Sequence, residues 1–132
     1  MQTRQQQIWM AITGAAGASA VAMGAWAAHG LATYVPVEAV ATVHLAVQYQ
    51  LWHALALGMV VLLVARDVGN RLLRVAGWAF SLGIILFCGS LYGLVLGGVK
   101  AFAWLTPCGG VALIAGWCCL LLYGVTAMRG RD

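Results

Sequence analysis

Four long stretches without a charged side chain, residues 8–28, 45–65, 75–99 and 107–128, constrain this chain more than any other feature. Each is long enough for about 20 helical residues, the length that crosses a hydrocarbon core of roughly 30 Å. Each is continuously apolar rather than alternating. A lipid-exposed helix also satisfies its own backbone hydrogen bonds, so helices are expected rather than barrel strands. Of the 132 residues, 64% are hydrophobic and only 8% charged, a balance wrong for a water-soluble domain. The expected fold is all-α, an integral membrane four-helix bundle occupying residues 1–132 as a single transmembrane domain.

Arg4 followed by an apolar run, with Ala18-Ser19-Ala20 resembling a small-x-small cleavage site, has the outline of a signal peptide. The run continues well past Ala20, so a retained span is expected instead. Orientation follows from the basic residues. Arg4, Arg66, Arg71, Arg74, Arg129 and Arg131 fall on one side of a four-span topology and Lys100 on the other, which places both termini in the cytoplasm. The net charge of +4 is then a topology signal with some attraction to anionic lipid, and no nucleic-acid partner is needed to explain it.

The connections carry their own signals. Pro36 followed by Glu38 reads as a first helical turn, predicting a short interfacial helix that leads into the second span. Gly69-Asn70 marks a tight turn with Asn70 as N-cap of the third span. Thr106-Pro107 opens the fourth span and leaves residues 100–105 as an outer loop. Trp9 and Trp78 fall near the cytoplasmic ends and Trp26 and Trp104 near the outer ends, as headgroup-level anchors do, whereas Trp52 and Trp117 sit within spans and are expected to pack between helices. Cys88, Cys108, Cys118 and Cys119 form no C-x-x-C pair and read as small apolar residues.

Small residues recur at four-residue steps: Gly89, Gly93 and Gly97 in span three, with Gly77 and Ser81 continuing the row below Ile85, and Ala16, Ala20, Gly24 and Ala28 in span one, while Ala112, Gly116 and Gly124 share one stripe of span four. Such rows let helix backbones approach closely, where dispersion replaces the missing hydrophobic drive. They predict tight packing within the bundle or between copies of it.

Span two is the exception to the apolar pattern. Tyr49 and Gln50 lie four and three residues before His53, so all three contribute to one broad face, and Gln48 lies one turn beyond His44. His53 sits roughly 12 Å inside the outer boundary at a 1.5 Å rise per residue. Polar groups at that depth face protein or a cavity. One reading has Gln48, Tyr49, Gln50 and His53 bonding across helices to Ser90, Tyr92 or Thr106 as structural glue. A second builds a redox-cofactor or metal site from His29, His44 and His53, with an interfacial metal favoured over haem because His29 and His53 differ in depth. A third is small-molecule transport, weakened because the acids Glu38, Asp67 and Asp132 all lie outside the spans. Catalysis is not expected: no acid stands within a span to orient an imidazole, and there is no hydrolase elbow or phosphate loop.

The segments AWAAHGL at 25–31, AVQYQLWHALAL at 46–57, GWAFSLGIILFCGSLY at 77–92 and TPCGGVALIAGW at 106–117 resemble the YgdD-like family of small inner-membrane proteins, which has mitochondrial relatives. The resemblance touches all four spans in order. It implies a four-span bundle in the bacterial inner membrane and lends no established chemistry or cofactor. By position its motif residues are His29, Gln48, Tyr49, Gln50, His53, Gly89, Ser90, Tyr92, Thr106, Pro107, Gly109 and Gly110. The expected function is a non-enzymatic membrane protein, an accessory subunit of a larger complex or a small homo-oligomeric bundle. The alternative is a binder of a quinone, lipid or metal through the outer-half polar cluster, or a transporter.

Overall fold

A computed structural model describes residues 3–129. Arg131 and Asp132, used above for orientation and acid placement, lie outside the described residues, as does the Arg129 side chain. Among the described residues every regular element is a helix, with α1 at Arg4–His29, α2 at Val37–Arg66, α3 at Arg71–Gly83, α4 at Gly89–Gly97 and α5 at Leu105–Arg129. A π turn, Ile84–Cys88, joins α3 to α4, so that Arg71–Gly97 forms one rod. The structure therefore has four helical rods long and apolar enough to cross a membrane.

Local chemistry sets the helix ends. A capping box starts α1 four residues ahead of its apolar run: the Gln6 N–H donates to Thr3 Oγ1 at 3.3 Å and the Thr3 N–H to Gln6 Oε1 at 2.7 Å. Helix α2 begins at Val37 after Pro36 and runs unbroken to Arg66, eight residues earlier than the apolar run predicts. Ahead of it lies one 3-10 turn, Leu31–Thr33. Asn70 caps α3, its Oδ1 accepting from the N–H groups of Leu72 and Leu73 at 3.0 and 3.4 Å. Gly69 before it has φ +92°, a conformation that residues with a side chain rarely adopt. Residues 100–104, expected as open loop, form a 3-10 helix instead, and Thr106-Pro107 falls inside the first turn of α5.

The rods pack in a chain of neighbours, α1 along α2, α2 against α3 and α4, and α5 along α3 and the π turn. The main core brings Leu57, Val60 and Val61 of α2 against Leu73 and Phe80 of α3 and Leu113 of α5. Trp9 is not the headgroup anchor its position suggests: it is 0% exposed, its indole lying over Gly77 and meeting Trp78 edge-on at 5.8 Å. Its ring fits there because Gly77 has no Cβ. Trp52 is 54% exposed and is not enclosed between helices, whereas Trp117, 46% exposed, packs its ring against Phe80 and His53 of neighbouring helices.

Close approach follows the small-residue rows only in part: Gly77 of the span-three row lies under Trp9 and Gly116 of the span-four row against Phe80, but the stretch from Gly89 to Gly97 shows no close backbone approach. Gly93 is covered by the Phe102 ring of the outer 3-10 helix, Gly97 meets only Val99, and a Cβ on Gly89 would meet nothing. Four-residue spacing identifies residues sharing a face, but it carries no information about which face receives a neighbour. The tight contacts occur where α5 crosses α3 and the π turn: Gly83 lies against Leu113, Gly116 against Phe80, and Gly109 directly against the backbone of Phe87 and Leu86. In span one Gly24 lies near Val47, which a Cβ would approach to 3.3 Å.

A methyl group at Gly109 would strike main-chain atoms that cannot rotate away, whereas one at Gly89 would enter open space. Gly109→Ala is expected to destabilise the bundle by about 1–3 kcal/mol and Gly89→Ala to be close to neutral, measured by reversible unfolding in mixed micelles. Equal effects at both sites would contradict this packing.

Candidate functional site

The polar side chains of the spans sort into two nodes and a set that stays outside them. The first node is Gln50, buried on α2. Its amide nitrogen donates to the Ala16 carbonyl at 2.8 Å and to Ser19 Oγ at 2.7 Å on α1, and its Oε1 accepts from the Tyr92 hydroxyl on α4 at 2.7 Å. Ser19 remains satisfied, donating to the Ala15 carbonyl at 2.7 Å. One side chain thus ties three rods together. In a medium without water the Gln50 amide and the Tyr92 hydroxyl would otherwise lack a partner.

The second node is His53, also buried. Its Nδ1 lies 2.6 Å from the Tyr49 carbonyl, and Trp117 Nε1 lies 3.1 Å from its Nε2. A carbonyl only accepts and an indole N–H only donates, so the Nδ1–H tautomer pairs both ring nitrogens. A metal or haem iron would have to displace the Trp117 indole to reach Nε2. Around this pair the aromatic rings interlock. Tyr49 stacks on Phe87 at 4.8 Å, and Trp117 meets the edge of Phe80 at 5.3 Å and of His53 at 6.0 Å. Tyr49 contributes its ring to this cluster.

Ser90 and Thr106 form a smaller link between α4 and α5. Their hydroxyls are 2.7 Å apart, and Ser90 Oγ donates to the Phe87 carbonyl in the π turn at 2.9 Å, leaving Thr106 as the donor between them. The remaining sequence candidates stand apart: His29, His44 and Gln48 are all exposed. Among the described residues no group of three or more His, Cys, Asp and Glu side chains is placed to hold a metal. The three-histidine metal centre is therefore not assembled, because His53 turns inward while His29 and His44 point outward.

Between α2 and α5 a cavity of about 760 Å3 opens beside the second node, lined by Tyr49, Trp52, His53, Phe87, Gly110 and Trp117 among others. Its volume falls in the range of small-molecule sites, and its walls are aromatic and aliphatic with a single imidazole edge. Gly110 contributes bare backbone to its wall. Trp117 and Phe87 were not among the sequence candidates. A tryptophan in mid-span was the available signal, since an indole N–H at that depth needs an acceptor, and on α2 His53 supplies one.

The family described as "Protein of unknown function (DUF423)" matches residues 23–110, which include Gln50, His53, Tyr92 and Gly109 but not Trp117. The chain is 39% identical over 106 residues to the UPF0382 membrane protein YwdK of Bacillus subtilis, covering 80% of this chain and 86% of that protein. Over 135 residues it is 32% identical to the UPF0382 inner membrane protein YgdD of Escherichia coli, covering 98% and 95%. A UPF0382 membrane protein of Haemophilus influenzae is 34% identical over 109 residues, covering 83% and 86%. No solved structure matches the chain.

Gln50→Leu removes three interhelical partners at once and is expected to cost roughly 1–3 kcal/mol, at about 0.6 kcal/mol or more per bond. Tyr92→Phe alone costs less, and adding it to Gln50→Leu costs almost nothing further, because its acceptor is already gone. A double-mutant cycle on unfolding in mixed micelles measures this, and strictly additive effects would show that the two side chains do not share a bond.

Proposed function

The chain belongs to the DUF423 family of membrane proteins, and from that premise we propose that it works by lateral association in the bacterial inner membrane rather than by catalysis. It serves either as a small homo-oligomeric bundle or as an accessory subunit of a larger complex. One observation carries the proposal: the outward face of α1 carries the small residues Gly14, Ala18, Ala22 and Ala25 around a single Val21, all exposed, and nothing lies within 4 Å of where a Gly14 Cβ would stand. Lipid chains gain little from such a shallow surface, whereas a second helix packs closely on it. Gln50 with Ser19 and Tyr92, His53 with Trp117, and Ser90 with Thr106 bond to one another, consistent with a structural role, and among the described residues the acid within a rod, Glu38, stands exposed in the first turn of α2, away from these groups.

A second reading is favoured by the cavity between α2 and α5. Its size and aromatic lining suit one apolar membrane-dissolved molecule, a quinone ring or a lipid chain, held against Trp52 and Trp117. A metal is less well suited, given the engaged His53 ring.

Both termini face the cytoplasm in this proposal, supported by Arg4, Arg66, Arg71 and Arg74 at one end of the rods and Lys100 at the other. The first turns of α2, from Val37 toward His44, then lie at the outer interface as an extension of the span rather than as a separate helix.

Purification into nanodiscs followed by native mass spectrometry tests the association. A homo-oligomer or a complex with another protein is expected, and Gly14→Leu/Ala18→Leu should dissociate it. A wild-type chain released singly and without partners would refute the proposal. In the same spectra the second reading expects a retained small mass that Gly110→Leu displaces by filling the cavity, and a wild-type spectrum without such a mass would eliminate it. For orientation, an impermeant maleimide added outside intact cells should label Cys108, which is exposed at the start of α5. Labelling only in inverted vesicles would reverse the topology.

A further inference from the structure

The end of the bundle opposite Lys100 carries a second, shallower groove of about 460 Å3, lined by Arg71, Arg74, Val75 and Trp78. These residues belong to one face of α3, and Leu82 and Ile85 continue it at helical spacing. All six are exposed. The face is therefore graded: two guanidinium groups at the helix start, an aromatic ring one to two turns further on, then bare aliphatic side chains. From Arg71 to Ile85 the strip runs roughly 20 Å at a 1.5 Å rise per residue. That is about half of a bilayer 40–45 Å thick including its headgroups, the depth of one leaflet.

We infer that this strip is a binding site for a single anionic phospholipid, its phosphate held by Arg71 and Arg74 and an acyl chain lying along Val75, Trp78, Leu82 and Ile85. Arginine suits the task because its planar fork pairs with phosphate oxygens in a fixed geometry. The start of α3 adds the positive end of the helix dipole. Asn70 already accepts from the N–H groups of Leu72 and Leu73, so the headgroup is held by side chains and not by free amides. Trp78 is fixed by its edge-on contact with the buried Trp9, which gives the acyl chain a rigid wall at the interface. Free phosphate would use the arginines but not the apolar strip. A zwitterionic lipid would use the strip but gain less from the arginines.

The test uses the full chain in nanodiscs containing equal phosphatidylglycerol and phosphatidylcholine, released for native mass spectrometry, with inorganic phosphate added in a parallel sample. The wild type should retain one phosphatidylglycerol in preference to phosphatidylcholine, undisturbed by phosphate. Arg71→Gln/Arg74→Gln should lower that retention roughly thirtyfold, the change that about 1 kcal/mol per basic residue implies. Arg4→Gln/Arg66→Gln, which removes the same charge outside the groove, should leave it largely intact. Phosphatidylglycerol with bromine in its acyl chain should also quench part of the tryptophan emission, and that part should vanish in Trp78→Phe. Equal loss in both arginine pairs would overturn the site in favour of general surface attraction. Equal retention of the two lipids, competition by phosphate, or quenching unchanged in Trp78→Phe would overturn it as well.

Discussion

No water reaches the polar groups of a helix that crosses lipid, so such a group either finds its partner inside the protein or stays unpaired at a cost, as Trp9 Nε1 and Thr13 Oγ1 of α1 do. That constraint accounts for most of what is specific in this structure. It makes all four rods helical. It turns Gln50 into a tie between α1, α2 and α4, because its amide carries two donors and an acceptor oxygen that only neighbouring rods can meet. It also sets the His53 tautomer, since the carbonyl on one side accepts and the indole on the other donates. Ser90 answers the Phe87 carbonyl in the π turn in the same way.

Apolar packing imposes a different pattern. Within lipid, helices gain little by hiding aliphatic surface, so association depends on how closely backbones approach. Gly109 against the main chain of Phe87 and Leu86 is the closest such approach, and it occurs where the third rod departs from α-helical winding. The wider turn and the bare glycine meet at one level. Just beside that contact the aromatic cavity opens between α2 and α5. At the far end of the third rod, Trp9 over Gly77 repeats the device with an indole in place of a backbone, and it holds Trp78 toward the surface.

Much of the fold and part of the site are legible in the residues themselves. Charge-free runs locate the rods to within a few residues at most ends, and Asn70 announces its own cap. Pro36 and Glu38 mark the helix start at Val37, although the apolar run begins later because Glu38, Thr42 and His44 lower the hydropathy of a segment that is helical all the same. That Gln50 and His53 turn inward follows from depth alone, since burial in lipid would leave them without partners. Gln48 and His44 show the limit of that argument, being polar, helical and exposed on the same helix. Trp9 shows another, because an indole near a helix end is as consistent with a core position as with a headgroup anchor.

What the amino-acid sequence determines on its own is therefore the solvent, the number of rods and the depth of each polar group, because hydropathy, length and charge act locally along the chain. Which partner each group takes is decided only in three dimensions. Gln50 with Tyr92, His53 with Trp117 and Gly109 with Phe87 are pairs separated by 42, 64 and some 20 residues. Nothing in local spacing selects them. They arise because the rods can pack at only a few rotations that let glycine meet backbone and leave no buried hydrogen-bonding group of these nodes alone.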